Sequence, residues 1–119
     1  MANPNDLGLF AEYEFTSASA DGSDATVTLA AALSVRHVIR HVGYYYEAIV
    51  TGDHFMTIAW TRRGVAKTYT ACIFPTGATA QVPIDFPEGY IFGDVNTAIT
   101  ITLTGGAAGN VCYLNVFYR

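Results

Sequence analysis

The sequence predicts an all-β fold, an antiparallel β-sandwich of jelly-roll type with seven or eight strands. Three observations indicate this: apolar and polar residues alternate along most segments, those segments are rich in Val, Ile, Thr and aromatic residues, and Gly, Pro and Asp separate them. A chain of 119 residues suits one domain with one core, so we expect a single domain over 1–119 with residues 1–10 as a candidate flexible arm.

The amino-terminal part contains two alternating segments. Ala11–Thr16 alternates aromatic with acidic residues and predicts a half-buried strand. Ser17–Asp24 is small and polar and contains Asp-Gly, which is typical of a loop or turn. Val27 and Leu29 alternate with threonines and mark a second strand.

The segment from Leu33 to Val50 is ambiguous, because its apolar residues recur at helical spacing while its composition is β-branched and aromatic. We favour a strand, since three consecutive tyrosines are poor helix material, and a helix is the alternative. Thr51–Asp53 reads as a turn. The strand after it places Met56, Ile58 and Trp60 on one face and is expected to be central in its sheet.

A basic hairpin tip and a long connection follow. Arg62–Gly64 predicts the tip, and Lys67–Phe74 predicts the second strand of that hairpin. Pro75–Gly93 is interrupted by prolines and glycines, which permits a short strand over Ala80–Ile84 within a long crossing of the kind found in Greek keys.

The carboxy-terminal strands give the strongest signals. Ile99, Ile101 and Leu103 alternate with threonines, and Gly105–Gly109 forms a turn. The last strand, Asn110–Tyr118, is apolar on both faces, so its second face needs cover that a neighbouring subunit could supply. The candidate interface residues are Val111, Tyr113, Phe117, Tyr44, Tyr46, Arg62 and Arg63.

Composition limits the classes of partner. Charged residues make up 13% of the chain against about 25% in an average soluble domain, which predicts exposed aromatic side chains and contacts with other proteins. The formal charge of −4, with six Lys and Arg, argues against sequence-independent nucleic-acid binding. No apolar run approaches the roughly 18 residues of a membrane span, and the first residues do not read as a signal peptide.

Isolated cysteines, histidines and aspartates are the candidates for thiol and metal sites. Cys72 and Cys112 lie in apolar runs and are expected to be buried free thiols, with a disulfide between them as the alternative. His37 and His41 could share a metal on a helix, but on a strand they would lie about 13 Å apart, so we expect surface or interface histidines. Asp21 with Asp24 is better explained as a polar turn than as a calcium loop.

The remaining polar and aromatic candidates concern catalysis and ligand binding. Asp53-His54 is better explained as a hairpin turn than as part of a catalytic set. The cluster of Arg62, Arg63 and Lys67 either meets an acidic partner or keeps its hairpin soluble. Trp60 is expected in the core, while exposed tyrosines leave sugar stacking open. We expect no catalytic residue, cofactor or metal.

Two stretches resemble small virion proteins of tailed phages. They are Arg36–Ile39 with the Tyr-rich strand after it, and above all the ending Val95–Arg119, with its Thr-alternating strand, Gly/Ala-rich turn and aromatic last strand. The resemblance is to this pattern; it covers 95–119 well and 25–60 loosely. It implies a jelly-roll or β-sandwich subunit that decorates heads, often as a trimer, without catalytic residues. The Tyr44–Tyr46 run and the 75–93 connection depart from it.

The sequence therefore predicts a non-enzymatic virion structural protein, a capsid decoration or cement subunit that stabilises the particle by protein–protein contacts. Its expected partners are further copies of itself, with a trimer favoured, and a major capsid or other virion protein, whereas nucleic acid and membranes are not expected. Its expected location is the virion, after assembly in the host cytoplasm. The alternative is a glycan- or receptor-binding module of a phage fibre or spike.

Overall fold

The computed structural model describes residues 14–50, 54–73, 82–87 and 89–119, and in these residues the protein is a sandwich of two antiparallel β-sheets. The strands are β1 (Glu14–Asp21), β2 (Ala25–Leu29), β3 (Val38–Tyr46), β4 (His54–Arg62), β5 (Val65–Ile73), β6 (Val82–Asp85), β7 (Ile91–Phe92), β8 (Ile99–Leu103) and β9 (Val111–Tyr118). No helix occurs in these ranges, and so none there is long and apolar enough to cross a membrane.

The two sheets have the strand order of a jelly roll. Sheet A runs β1-β9-β3-β6, with the two-residue β7 also paired to β3, and sheet B runs β2-β8-β4-β5. Successive strands thus alternate between the sheets, apart from the hairpin formed by β4 and β5 and the two short strands on β3. The prediction of an all-β jelly-roll sandwich is confirmed, with nine strands in the described residues in place of seven or eight.

The core lies between the inner faces of the sheets. Sheet B contributes alternate residues such as Val27, Ile58 and Ile101, and sheet A contributes Val42 and Leu114. All five are at most 5% exposed. The inward residues alternate with outward threonines in sheet B, which is the period of two that a half-buried strand requires. The predicted core faces of β4 and β8 are confirmed, and β4 lies inside its sheet between β8 and β5.

The ambiguous segment is a strand, as favoured, and a β-bulge in it explains the helical spacing. On β3 the pairing with β9 shifts between Ile39 and His41, so Arg40 is an extra residue. Ile39 and Val42 both face the core because the bulge separates them by three positions where a regular strand would use two or four.

Three local expectations were wrong. β1 continues through the predicted loop to Asp21, with Ala18 packed against the core, and the turn is limited to the three residues before β2. Cys72 is exposed, because it lies on the outer face of the edge strand β5, whereas Cys112 is buried as expected. His37 is 9% exposed and its Nε2 lies 2.8 Å from the carbonyl oxygen of Ala30, so it is no surface histidine. The predicted turn at 51–53 and the strand residues 80–81 lie outside the described residues.

Candidate functional site

The outer faces of the two sheets differ sharply in chemistry. In sheet B one row across four strands consists of Thr26, Thr102, Thr57 and Thr70, and the next row holds three more threonines. Threonine hydroxyls can bond to water without a charge. This face explains how a chain with few charged residues still presents a hydrated surface on one side of the sandwich.

The outer face of sheet A carries aromatic side chains in two rows. Strand register places Phe15, Phe117, His41 and Asp85 side by side in one row, here called the phenyl row. Phe15 and Phe117 have ring centroids 4.9 Å apart, and the rings of Phe117 and His41 lie edge-on at 5.5 Å. Nδ1 of His41 lies 2.6 Å from a carboxylate oxygen of Asp85. Phe15 is 55% and Phe117 39% exposed, so the row forms an apolar ridge open to solvent.

The second row, here called the tyrosine row, is formed by Ser19, Tyr113 and Tyr45. The two tyrosine rings stack with centroids 4.4 Å apart. The hydroxyl of Tyr113 donates a 2.5 Å hydrogen bond to a carboxylate oxygen of Glu47, and this bond raises the pKa of Tyr113 to about 12. The row is therefore a fixed aromatic platform with a carboxylate at its edge.

A middle row of Ser17, Asn115, Gly43 and Pro83 separates the two aromatic rows. Rows of one face are two residues apart, so the phenyl and tyrosine rows lie about 13 Å from each other. The middle row supplies a hydroxyl and an amide, both able to donate and accept hydrogen bonds. The face as a whole combines aromatic side chains with a few uncharged polar groups and the carboxylates of Asp85 and Glu47. Enrichment in aromatic residues is typical of protein-contact surfaces.

Four of the seven predicted interface residues do not lie with the rest. Tyr44 and Tyr46 are 6% and 4% exposed, so the prediction that they form an interface is corrected: both point between the sheets. Burial raises the pKa of each, and the hydroxyl of Tyr46 donates to the Thr104 carbonyl. Their neighbour Tyr45 faces outward because side chains alternate along β3.

Arg62 and Arg63 lie at the tip of the β4–β5 hairpin, away from the aromatic face. The predicted turn is confirmed, with positive φ at Arg63 (53°) and Gly64 (73°), as a two-residue hairpin loop requires. The carboxylate of Asp94 accepts hydrogen bonds from the backbone N–H groups of Arg63 and Gly64, and these bonds lower the pKa of Asp94. The guanidinium of Arg62 lies 3.9 Å from the ring centre of Phe92.

Val111, Tyr113 and Phe117 do lie together on the outer face of sheet A. The signal that identified them was the doubly apolar last strand. Phe15, His41 and Tyr45 join them through strand pairing, which no spacing in the sequence reveals. Within the described ranges, no group of three or more His, Cys, Asp or Glu side chains is arranged to hold a metal ion.

Solved structures match the chain only at low sequence identity among those compared. No protein-family model and no curated protein matches the chain. Among solved structures it is similar to PirA (9% identity, TM-score 0.47, 88% of this chain and 93% of that chain covered) and to a family 16 carbohydrate-binding module (10%, 0.45, 92% and 88%). It is also similar to the virus-like particle of Macrobrachium rosenbergii extra small virus (16%, 0.30, 90% and 77%). These are similarities of β-sandwich architecture and assign no function.

Proposed function

We propose that the protein is a non-enzymatic structural subunit of a virion, a decoration or cement protein that binds neighbouring protein surfaces through the outer face of sheet A. The observation that carries the proposal is the exposed phenyl row, which lies on a face with few charges. A second support is the resemblance of the carboxy-terminal segment to small phage virion proteins. The proposed partners are further copies of this chain, with a trimer favoured, and the shell protein of the particle.

The size of the exposed aromatic surface fits an interface anchor. With about 200 Å² for each phenylalanine side chain, the exposed fractions of Phe15 and Phe117 amount to about 190 Å². Burial of that area contributes up to about 5 kcal/mol at 25 cal/mol per Å². Two such anchors at the centre of a contact are typical of the few residues that dominate interface energetics.

The test compares two equally exposed phenylalanines on opposite faces. Phe117 is 39% exposed on sheet A and Phe55 is 38% exposed on sheet B. We expect Phe117→Ser to raise the dissociation constant of the assembly at least tenfold, about 1.4 kcal/mol, and Phe55→Ser to leave it nearly unchanged. Phe117→Ser combined with Phe15→Ser should raise it at least a hundredfold, about 2.7 kcal/mol. Native mass spectrometry over a dilution series measures both. A monomeric wild-type protein at micromolar concentration, or equal effects on both faces, would overturn the proposal.

A glycan-binding module is the second candidate, and the tyrosine row favours it. The stacked pair of Tyr45 and Tyr113, the carboxylate of Glu47 and the amide of Asn115 combine aromatic surface with hydrogen-bonding groups. If the candidate is right, a glycan array gives specific signals that Tyr45→Ala abolishes and Phe55→Ser preserves. An array without signal from folded protein rejects it.

A further inference from the structure

All six basic side chains of the chain lie toward one end of the sandwich. The six are Arg36, Arg40, Arg62, Arg63, Lys67 and Arg119. They lie in the segment before β3 and the first residues of β3, in the tip of the β4–β5 hairpin and the first residues of β5, and directly after the end of β9. In antiparallel sheets of this order, these positions share one end of the molecule, here called the basic pole.

Hydrogen bonds tie the segments of the basic pole together. The backbone N–H of Asp94 donates to the Thr61 carbonyl (2.8 Å), and that of Asn96 donates to the Val35 carbonyl (3.0 Å). The guanidinium carbon of Arg36 lies 5.4 Å from the centre of the Phe92 ring. The guanidinium of Arg62 also lies over this ring. The β7–β8 loop therefore joins the hairpin tip to the loop after β2 in one surface.

Apolar side chains protrude among these charges. Leu33 is 86% exposed, and Val35 and Val95 are 38% and 41% exposed. The acidic residues described at this end have local partners. Asp94 accepts from the hairpin backbone, and Asp85 bonds to a histidine. Glu14 is the third, and the Tyr118 hydroxyl bonds to it. The pole thus presents apolar tips with a surplus of positive charge in the described residues.

The opposite end has the complementary character and is here called the acidic pole. Asp21 and Asp24 accept backbone hydrogen bonds from Gly109 and Gly105, which fixes the β8–β9 loop against the β1–β2 turn. Glu47 lies beside them, because its N–H bonds to the first residue of β9. Its exposed small and apolar residues include Ala48, Ile49, Ala107 and Ala108.

We propose that the basic pole of one copy docks on the acidic pole of the next, so that copies assemble head to tail. The two poles are complementary in charge: one presents cations beside exposed apolar side chains, and the other presents carboxylates beside Ile49 and small residues. Copies with a charge of −4 repel one another in most orientations, and this orientation brings opposite charges together. Such a contact joins two different patches, so it closes into a ring, such as a trimer, or extends into a filament.

The inference rests on the proposed structural role and extends its contact, because the phenyl row lies at the start of β1 and the end of β9, next to the basic pole. Charge variants of the two poles test the two proposals separately. One variant carries Arg36→Glu with Lys67→Glu and leaves both poles acidic. The other carries Glu47→Lys with Ala107→Lys and Ala108→Lys, which replaces the surplus of carboxylates at the acidic pole with a surplus of lysines and leaves both poles basic. All five substituted positions are exposed. We expect the dissociation constant of the assembly, measured by sedimentation velocity, to rise at least tenfold for each variant alone. An equimolar mixture of the two variants should restore assembly, because every contact between copies then joins opposite charges.

Thr26→Asp with Thr70→Asp lowers the net charge on the outer face of sheet B and should leave assembly intact. Added salt should weaken the wild-type assembly. Assembly that both reversals leave unchanged but that Phe15→Ser with Phe117→Ser abolishes overturns the head-to-tail contact and keeps the proposed role. A mixture that stays dissociated, or folded wild-type monomers that bind phosphatidylserine vesicles through Arg36 and Lys67, also overturn it.

Discussion

Asn110 provides a test of how the acidic pole is held together. This residue is 6% exposed, and its side-chain amide makes both hydrogen bonds of one backbone unit: the Ala48 N–H donates to Oδ1 (2.9 Å), and Nδ2 donates to the Ala48 carbonyl (3.0 Å). The amide also fills the space that a Cβ at Gly106 would need, since that Cβ would lie 2.7 Å from Nδ2.

We expect Asn110→Ala to lower the free energy of unfolding by about 2 kcal/mol. Each lost hydrogen bond costs about 1 kcal/mol, and an unpaired buried group costs about 1–3 kcal/mol. We use the lower end of these values because Ala48 is exposed and water can reach part of its backbone. Urea denaturation followed by the fluorescence of Trp60 measures the change.

Asn110→Asp isolates the donor half of the pair. At pH 7 the introduced carboxylate still accepts from the Ala48 N–H but faces the Ala48 carbonyl without a proton to donate. Its protonated form can donate, so folding raises its pKa above the usual ~3.9 of an unfolded aspartate. The contribution of a group with a raised pKa is fully present below that unfolded value and is lost as pH rises through the folded value.

The stability deficit of this variant relative to wild type should therefore be smallest below pH ~4 and should grow by about 1 kcal/mol or more toward pH 7. Denaturation of both proteins at matched pH removes the contribution of the other carboxylates. A deficit that stays constant from acid to neutral pH, or an aspartate variant as stable as wild type at pH 7, would refute the role given to Nδ2.

Three further predictions concern single groups. Gly105→Ala should lower the midpoint of thermal unfolding by several degrees, because its Cβ would overlap a carbonyl of the β1–β2 turn; circular dichroism measures this. Glu47→Gln should lower the pKa of Tyr113 from about 12, and an ultraviolet titration that shows no such change would contradict the assigned bond. Cys72 should react with a thiol reagent in the folded protein and Cys112 only on unfolding; simultaneous reaction would place Cys112 at the surface.

The alternation of apolar and polar residues in the sequence predicted most of the strands and their faces. The alternation around Ile101 and in the last strand correctly assigned core and outer faces, because a strand in a sandwich has one dry side. The sequence predicted too early an end for β1, because the Ser and Ala residues of its second half have low strand propensity. That half is extended because it pairs with β9.

The tyrosine assignment failed for a different physical reason. Which of three consecutive tyrosines faces outward depends on strand parity, and the bulge at Arg40 resets that parity along β3. The bulge follows from the pairing with β9, which is about 70 residues away along the chain. For the same reason the phenyl row, which combines residues from four strands, could be predicted only in its β9 member.

The pairing of β1 with β9 has a consequence for synthesis in the cell. The hydrogen-bonded neighbour of β1 in the described residues is β9, the last of the nine strands along the chain, and β9 also lies against β3. While β8 is still being translated, β1 has no strand in sheet A with which to pair, and β3 lacks its neighbour β9. The pairing of sheet A therefore waits until β9 has been translated, and until then the edges of β1 and β3 that it covers are open to association with other chains.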